Sequence, residues 1–470
     1  MQRSLQRKLP WHMLPAILAL AWPTMLEQLM HTAVQYIDVA MVGTLGTQAT
    51  AAVGATSTVN WLVSSTISAV GVGFLAFISQ ACGAGDTDRA RKASAQSVLA
   101  VIVLGTLFTA LTLGLSSKVP VWMQVDPQIQ KISATYFFIL YSPMLFRAAS
   151  IIFGTVLRAA GDTKTPMWVG IFVNIVNVVL NFLLIYPCRT ITIWGMSIFM
   201  PGAGWGILGA GIASAISFAF GGIIITIRLL RHKTISPLGY SIKPDKTVLA
   251  PCLKVALPNC LQRFGTSLGY VVFAAMINSV GEVATAAHTI ANTVESAFYI
   301  PGYGMQTAAA TLAGNAWGAR DTKRVRDLAR MILPVEVLMM ILSGGLLFLL
   351  APNMMALFSQ EAQVILLGAV VLRMVAVSEP FYGVSIIIEG MMQGMGNTMI
   401  PFVCNIVGMW AIRIVGTFIC IYCFGMGLIS AWACMIGHNL LLFGIFIFLG
   451  VTGRYIPENK RKKVLKNSEK

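Results

Sequence analysis

Residues 83–91 read Gly-Ala-Gly-Asp-Thr-Asp-Arg-Ala-Arg, and residues 318–326 read Gly-Ala-Arg-Asp-Thr-Lys-Arg-Val-Arg. Gly83, Asp86, Thr87, Arg89 and Arg91 therefore fall on Gly318, Asp321, Thr322, Arg324 and Arg326 at an offset of 235. The same offset carries Pro23 onto Pro258 and Gly46 onto Gly281. It also carries Gly161, Thr163 and Pro166 onto Gly396, Thr398 and Pro401. One register held without gaps over about 150 residues marks an internal repeat. The offset then drops to 221, because the stretch around 188–204 carries about 14 extra residues.

What is repeated is a set of apolar runs separated by short polar connectors. Hydrophobic residues make up 57% of the 470, charged residues only 11%, and mean hydropathy is +0.77. A soluble domain carries about 25% charged residues, too many for this composition. Crossing a hydrocarbon core takes about 20 apolar residues. Only helix bundles and closed barrels satisfy their backbone in lipid, and continuous rather than alternating apolar runs select helices. Twelve spans are predicted, at roughly 14–42, 51–79, 92–116, 132–156, 165–187, 205–229, 250–279, 285–313, 328–352, 363–391, 398–420 and 426–450. The fold class is thus all-α integral membrane. Six spans per copy is an even number, so both copies enter the membrane from the same side. That makes a parallel repeat about an axis along the membrane normal, enclosing a cleft whose rocking gives alternating access. The domains are residues 1–229, an N-terminal lobe; 230–249, an inter-lobe loop; 250–450, a C-terminal lobe; and 451–470, a basic tail.

The net charge of +16 is an orientation signal rather than a nucleic-acid footprint. Of the 33 basic residues, 26 lie at the termini or around the loops after even-numbered spans. The loops after odd-numbered spans hold three, Lys118, Lys131 and Arg189, and Arg147, Arg263, Arg373 and Arg413 fall inside spans. The positive-inside rule then puts both termini in the cytoplasm, and the expected location is the inner (plasma) membrane of the cell. Lys460, Arg461, Lys462, Lys463, Lys466 and Lys470 are positioned to touch anionic lipid. The eight cysteines show no CxxC pair and read as small apolar fillers. The first apolar stretch has no cleavage site and reads as a retained helix. No phosphate-cradling GxxxxGK[ST] loop, histidine cluster or Ser/His/Asp set is present, so no enzyme activity and no cofactor are expected. Any uphill transport draws on an ion gradient or a partner ATPase.

Ionisable groups inside spans are costly and point to function. Asp38 lies deep in span one, and its repeat position is Phe273, so the scaffold does not demand an acid there. It reads as a cation or proton site, or as an acid held by structural hydrogen bonds. Asn174, Asn177 and Asn181 share one face of span five, while their repeat positions are Met409, Ile412 and Gly416. A carboxylate with amide carbonyls suits a hard cation such as Na⁺, although amides also join helices. Ser214 in span six adds a hydroxyl. The second lobe carries Glu295, Glu379, Glu389 and Arg413, with Tyr299 and Tyr303 one and two turns beyond Glu295. These, with Asn174, are candidate cleft residues for a flat organic cation, or structural ion pairs.

The chain resembles the multidrug and toxic compound extrusion (MATE) family over its full length. The likeness rests on Asp38-Val-Ala-Met-Val-Gly-Thr-Leu-Gly46, Gln80-Ala-Cys-Gly-Ala-Gly-Asp86 and Gly154-Thr-Val-Leu-Arg-Ala-Ala-Gly-Asp-Thr-Lys-Thr-Pro166. Gln393-Gly-Met-Gly-Asn-Thr398 and Trp410-Ala-Ile-Arg413 complete it. The resemblance implies antiport of drugs, mostly organic cations, against Na⁺ or H⁺. It places Asp38, Asn177, Asn181 and Ser214 on the coupling-ion positions of bacterial members. Part of the family has an aspartate where this chain has Asn181, which leaves the coupling ion open. Another branch has acids where this chain has Thr266 and Tyr382. The expected partners are small-molecule drugs and the bilayer, with no nucleic acid, and the chain is expected to act as a monomer. A lipid-linked precursor flippase is the alternative, disfavoured by the acids and the span count. A non-transporting scaffold or receptor is a third reading.

Overall fold

The computed structural model describes residues 10–123, 125–193 and 196–457. The lysines and arginines at 460–470 lie outside the described residues. Thirteen long helices carry the fold: α1 Leu14–Gly43, α2 Thr47–Gly83, α3 Thr87–Leu115, α4 Pro127–Tyr141, α5 Met144–Ala159, α6 Lys164–Leu184 and α7 Gly206–Leu230. They continue with α8 Lys246–Asn278, α9 Glu282–Gly318, α10 Thr322–Ala356, α11 Ala362–Gly394, α12 Met399–Cys423 and α13 Leu428–Thr452. Ten of the described helices are long and apolar enough to cross a membrane, and the pair α4 and α5, bent by 48°, adds an eleventh. The twelfth segment is α9, whose 37 residues include Glu282, His288, Asn292 and Glu295. These segments follow the predicted spans, and the chain is a multi-pass all-α membrane protein. Pro143 explains the bend of the fourth span, since it has no N–H to offer at the junction.

The repeat is visible in local geometry. Asp86 caps α3 by accepting from the Arg89 N–H at 2.9 Å, and Asp321 caps α10 by accepting from the Arg324 N–H at 2.8 Å. The residue before each cap is left-handed: Gly85 at φ +72° and Arg320 at φ +59°. Glycine adopts this freely, whereas arginine does so at a cost of about 1 kcal/mol. Thr44 Oγ1 meets the Tyr186 hydroxyl at 2.9 Å, and Ser279, its repeat position, meets Tyr422 at 3.0 Å.

Two features depart from plain helices. The extra residues after span five form antiparallel strands, β1 Pro187–Ile193 and β2 Met196–Ala203, rather than an irregular loop, with Arg189 opposite Met200. Within α12, Gly408–Ile414 and Ile419–Cys423 are π-helical. Such distortions cluster at functional positions, and the first holds Arg413.

The chain divides into two compact units. The N-terminal unit holds Trp22–Ile78 and Asp86–Ala256. The C-terminal unit holds the described parts of Met1–Ala21, Ser79–Gly85 and Leu257–Lys470. The C-terminal core gathers Phe273, Ile277, Leu347, Leu372 and Trp432, and the Trp432 indole N–H donates to His288 Nδ1 at 3.3 Å. In the same unit the end of α2 crosses α9 at glycines. A Cβ on Gly83 would sit 1.9 Å from Asn315 O, and one on Gly318 would sit 2.0 Å from Gln80 O. The offset of 235 exchanges these two contacts, since it maps Gln80 on Asn315 and Gly83 on Gly318. Small residues of this kind let helix backbones touch in a membrane. Many large apolar side chains remain exposed, such as Leu349 at 74% and Val451 at 77%. That surface suits lipid and not water.

Candidate cation site in the N-terminal unit

The first helix, α1, carries Glu27, His31 and Asp38 on one stripe, because steps of four and seven residues return to nearly the same angle. Asn177 and Asn181, one turn apart on α6, are buried. Asn181 Nδ2 donates to Asp38 Oδ1 at 2.6 Å and to Asn177 Oδ1 at 3.1 Å. Asn177 Nδ2 donates in turn to Ser214 Oγ on α7 at 3.2 Å. Three helices are thereby joined through one carboxylate, two amides and a hydroxyl. The remaining oxygen of the central amide, Asn181 Oδ1, is buried and has no hydrogen-bond partner among the described residues. Buried carbonyls are rarely left so. An acceptor beside a carboxylate with nothing donating to it fits a bound cation, or a proton held on Asp38.

Among the described residues no three His, Cys, Asp or Glu side chains converge as a metal set. What can hold a cation here is one charged oxygen group with neutral oxygens around it, the chemistry of a hard ion. Asn174, the third asparagine of the predicted stripe, is half-buried and lies outside this chain of bonds.

The second-lobe candidates occupy separate settings. Glu389 is satisfied by amides: Gln262 Nε2 at 2.8 Å, Gln393 Nε2 at 3.0 Å and Asn405 Nδ2 at 3.2 Å. Offset positions explain the arrangement, since Gln262 and Gln393 correspond to Glu27 and Arg158, which in the N-terminal unit form an ion pair at 3.0 Å. Tyr299 packs edge-on against Tyr303 and Tyr382, with ring centres 5.6 and 6.0 Å away, and the Tyr303 and Tyr382 hydroxyls meet at 2.7 Å. Arg413 stacks over Tyr270 and Phe273 at 4.7 and 4.2 Å, and Glu295 is buried in the same unit. Glu379 is buried with Oε2 unpartnered among the described residues.

Sequence reasoning passed over Glu336 on α10. It is fully buried, both its oxygens lack described partners, and it wedges between Gly302 on α9 and Gly383 on α11. A glutamate in the middle of an apolar run was the available signal. Glu27 faces Gln262 in the repeat and suits an ion pair, but its partner, Arg158, was not identified from sequence. The signal for the pair is that two charged positions become two glutamines at the same offset.

A family model described as MatE matches residues 23–183 and 258–419. The two matches begin at Pro23 and Pro258, one repeat apart. The chain is 25% identical over 439 residues to the probable multidrug resistance protein NorM of Thermotoga maritima, covering 93% of this chain and 92% of that one. It is 24% identical over 407 residues to the multidrug resistance protein PmpM of Pseudomonas aeruginosa, covering 85% and 82%. Among solved structures, a multidrug resistance MATE transporter of the MOP superfamily in an outward-facing conformation superposes with a TM-score of 0.85 at 21% identity, covering 94% and 95%. That likeness speaks for the fold.

Proposed function

The chain belongs to the MatE family, and from that premise we propose that it is a secondary active multidrug exporter of a bacterial inner membrane. It moves organic, mostly cationic and amphipathic compounds outward by alternating access, in exchange for Na⁺ or H⁺. The names of its relatives support efflux, and the positive-inside count supports cytoplasmic termini. The observation that carries the coupling is the Asp38–Asn181–Asn177–Ser214 chain with its one orphaned carbonyl.

The residues set out how an ion acts here. With Asp38 ionised, the Asn181 amide donates a charge-assisted bond to it, the stronger kind of hydrogen bond. Na⁺ would draw on Asp38 and on the carbonyls of Asn181 and Asn177, with Ser214 Oγ beside them. A proton would instead sit on Asp38 and remove its charge. Protonation weakens the charge-assisted tie between α1 and α6, whereas Na⁺ replaces it with a bridge through shared oxygen ligands. The difference in ion affinity between the two access states then supplies the driving force. Reconstituted vesicles given a Na⁺ gradient alone, then a pH gradient alone, identify the ion. Asp38→Asn is expected to abolish efflux under both gradients while the protein stays folded. Efflux that persists under either would overturn the assignment.

A further inference from the structure

A second polar set in the N-terminal unit takes no part in that chain. Arg147, on α5, is buried at 8% exposure. Its Nη1 donates to Asn60 Oδ1 and its Nη2 to Ser64 Oγ at 2.7 Å. Asn60 and Ser64 lie one turn apart on α2, so both acceptors come from a single helix face. The plane of the guanidinium lies over the Phe218 ring at 4.7 Å. Every one of these neighbours is neutral. The ion pairs among the described residues are Lys92–Asp88, Arg158–Glu27 and Arg330–Asp327, and Arg147 belongs to none. Glu27 is matched by Arg158, and Asp38 is held by Asn181.

An arginine inside a membrane span is costly and usually has a partner or a function. The Phe218 ring answers the charge in part, and no carboxylate pairs with it among the described ion pairs. A guanidinium has five N–H donors in a planar fork that matches carboxylates, and the two described side-chain bonds leave donors to spare.

The repeat gives a second and independent reason. At the offset of 235, Asn60, Ser64 and Arg147 fall on Glu295, Tyr299 and Tyr382. Those residues are buried or partly buried in the C-terminal unit, and the Tyr299 and Tyr382 rings are 6.0 Å apart. Duplicated positions thus carry an acid with aromatics in one unit and an arginine with amide and hydroxyl acceptors in the other. The set of positions is shared, and its net charge is positive in one unit and negative in the other, carried at different members of the set.

We propose that Arg147, braced by Asn60, Ser64 and Phe218, is a binding site for the anionic group, a carboxylate, of an amphipathic substrate. The protein then discriminates zwitterionic compounds from their esterified, purely cationic counterparts. The proposal rests on the exporter reading for its physiological meaning, and its test does not depend on transport.

The probes are a zwitterionic rhodamine bearing a free benzoate and its methyl ester, titrated by fluorescence anisotropy against purified full-length protein without any gradient. Arg147→Gln is expected to weaken binding of the free acid about tenfold or more and to leave the ester within about twofold. Arg147→Lys should retain part of the preference. Asn60→Asp supplies a carboxylate at the atom that Arg147 already contacts. It neutralises the charge without removing the brace, so it should abolish the preference in a protein that remains monodisperse, even where Arg147→Gln fails to fold. Equal weakening of both dyes, or no change in either Arg147→Gln or Asn60→Asp, would overturn the proposal. Failure of ion-coupled efflux would refute the exporter reading while leaving the dye discrimination standing. Loss of the discrimination alone would leave the Asp38 site untouched.

Discussion

The Glu27–Arg158 pair offers a test of how the two units diverged. Arg158 Nη1 lies 3.0 Å from both carboxylate oxygens of Glu27, and the two side chains are 17% and 25% exposed. At that distance and an effective dielectric of about 20, the gross attraction is about 5 kcal/mol. Removing one partner of a buried pair costs about 3–5 kcal/mol, because the other charge is stranded. Partial exposure favours the lower end, so Glu27→Gln and Arg158→Gln should each cost about 3 kcal/mol. The double variant recreates the chemistry of Gln262 and Gln393 without stranding a charge and should cost about 1 kcal/mol. Thermal loss of monodisperse protein in detergent would report this. Both single variants should melt well below the parent, and the double variant should recover most of the difference. A double variant as unstable as the two singles combined would refute the claim that these charges act as one unit.

Other consequences are simpler to state. Asn181→Ala removes the orphaned carbonyl and the amide that holds Asp38, so gradient-driven efflux should fall at least about tenfold at unchanged expression; unaltered coupling would remove Asn181 from the site. Gly318→Ala would place a methyl 2.0 Å from Gln80 O, and a clash against backbone should cost about 3 kcal/mol, the upper end of overpacking. A fully stable Gly318→Ala variant would show that the crossing of α2 and α9 is looser than described. Glu336→Met replaces a buried acid lacking described partners with an apolar side chain of similar size, and melting temperature should rise by an amount equivalent to about 1 kcal/mol or more. A fall would mean that the carboxylate is held by groups the described contacts do not include.

Much of the architecture was legible in one dimension. The apolar helices and the offset of 235 follow from apolar run length and from residues such as Asp86 and Asp321, which cap the helices that start beside them. Asp38 stood out because its repeat position is Phe273, and Asn177 and Asn181 because their spacing puts them on one helix face. The strands at 187–203 were not legible, since an insertion announces its length and not its pairing. Nor was the polarity of the interior. Asn181 could be placed on a face, but only packing turned it so that its N–H₂ meets Asp38 and its carbonyl meets no donor among the described residues. Glu27 and Arg158 are 131 residues apart, and Arg147 reads in sequence as one more charge inside a span. Which buried charges find opposite partners depends on how each helix is rotated and where it crosses its neighbours. Side-chain packing in three dimensions sets those angles, and no local run of residues encodes them.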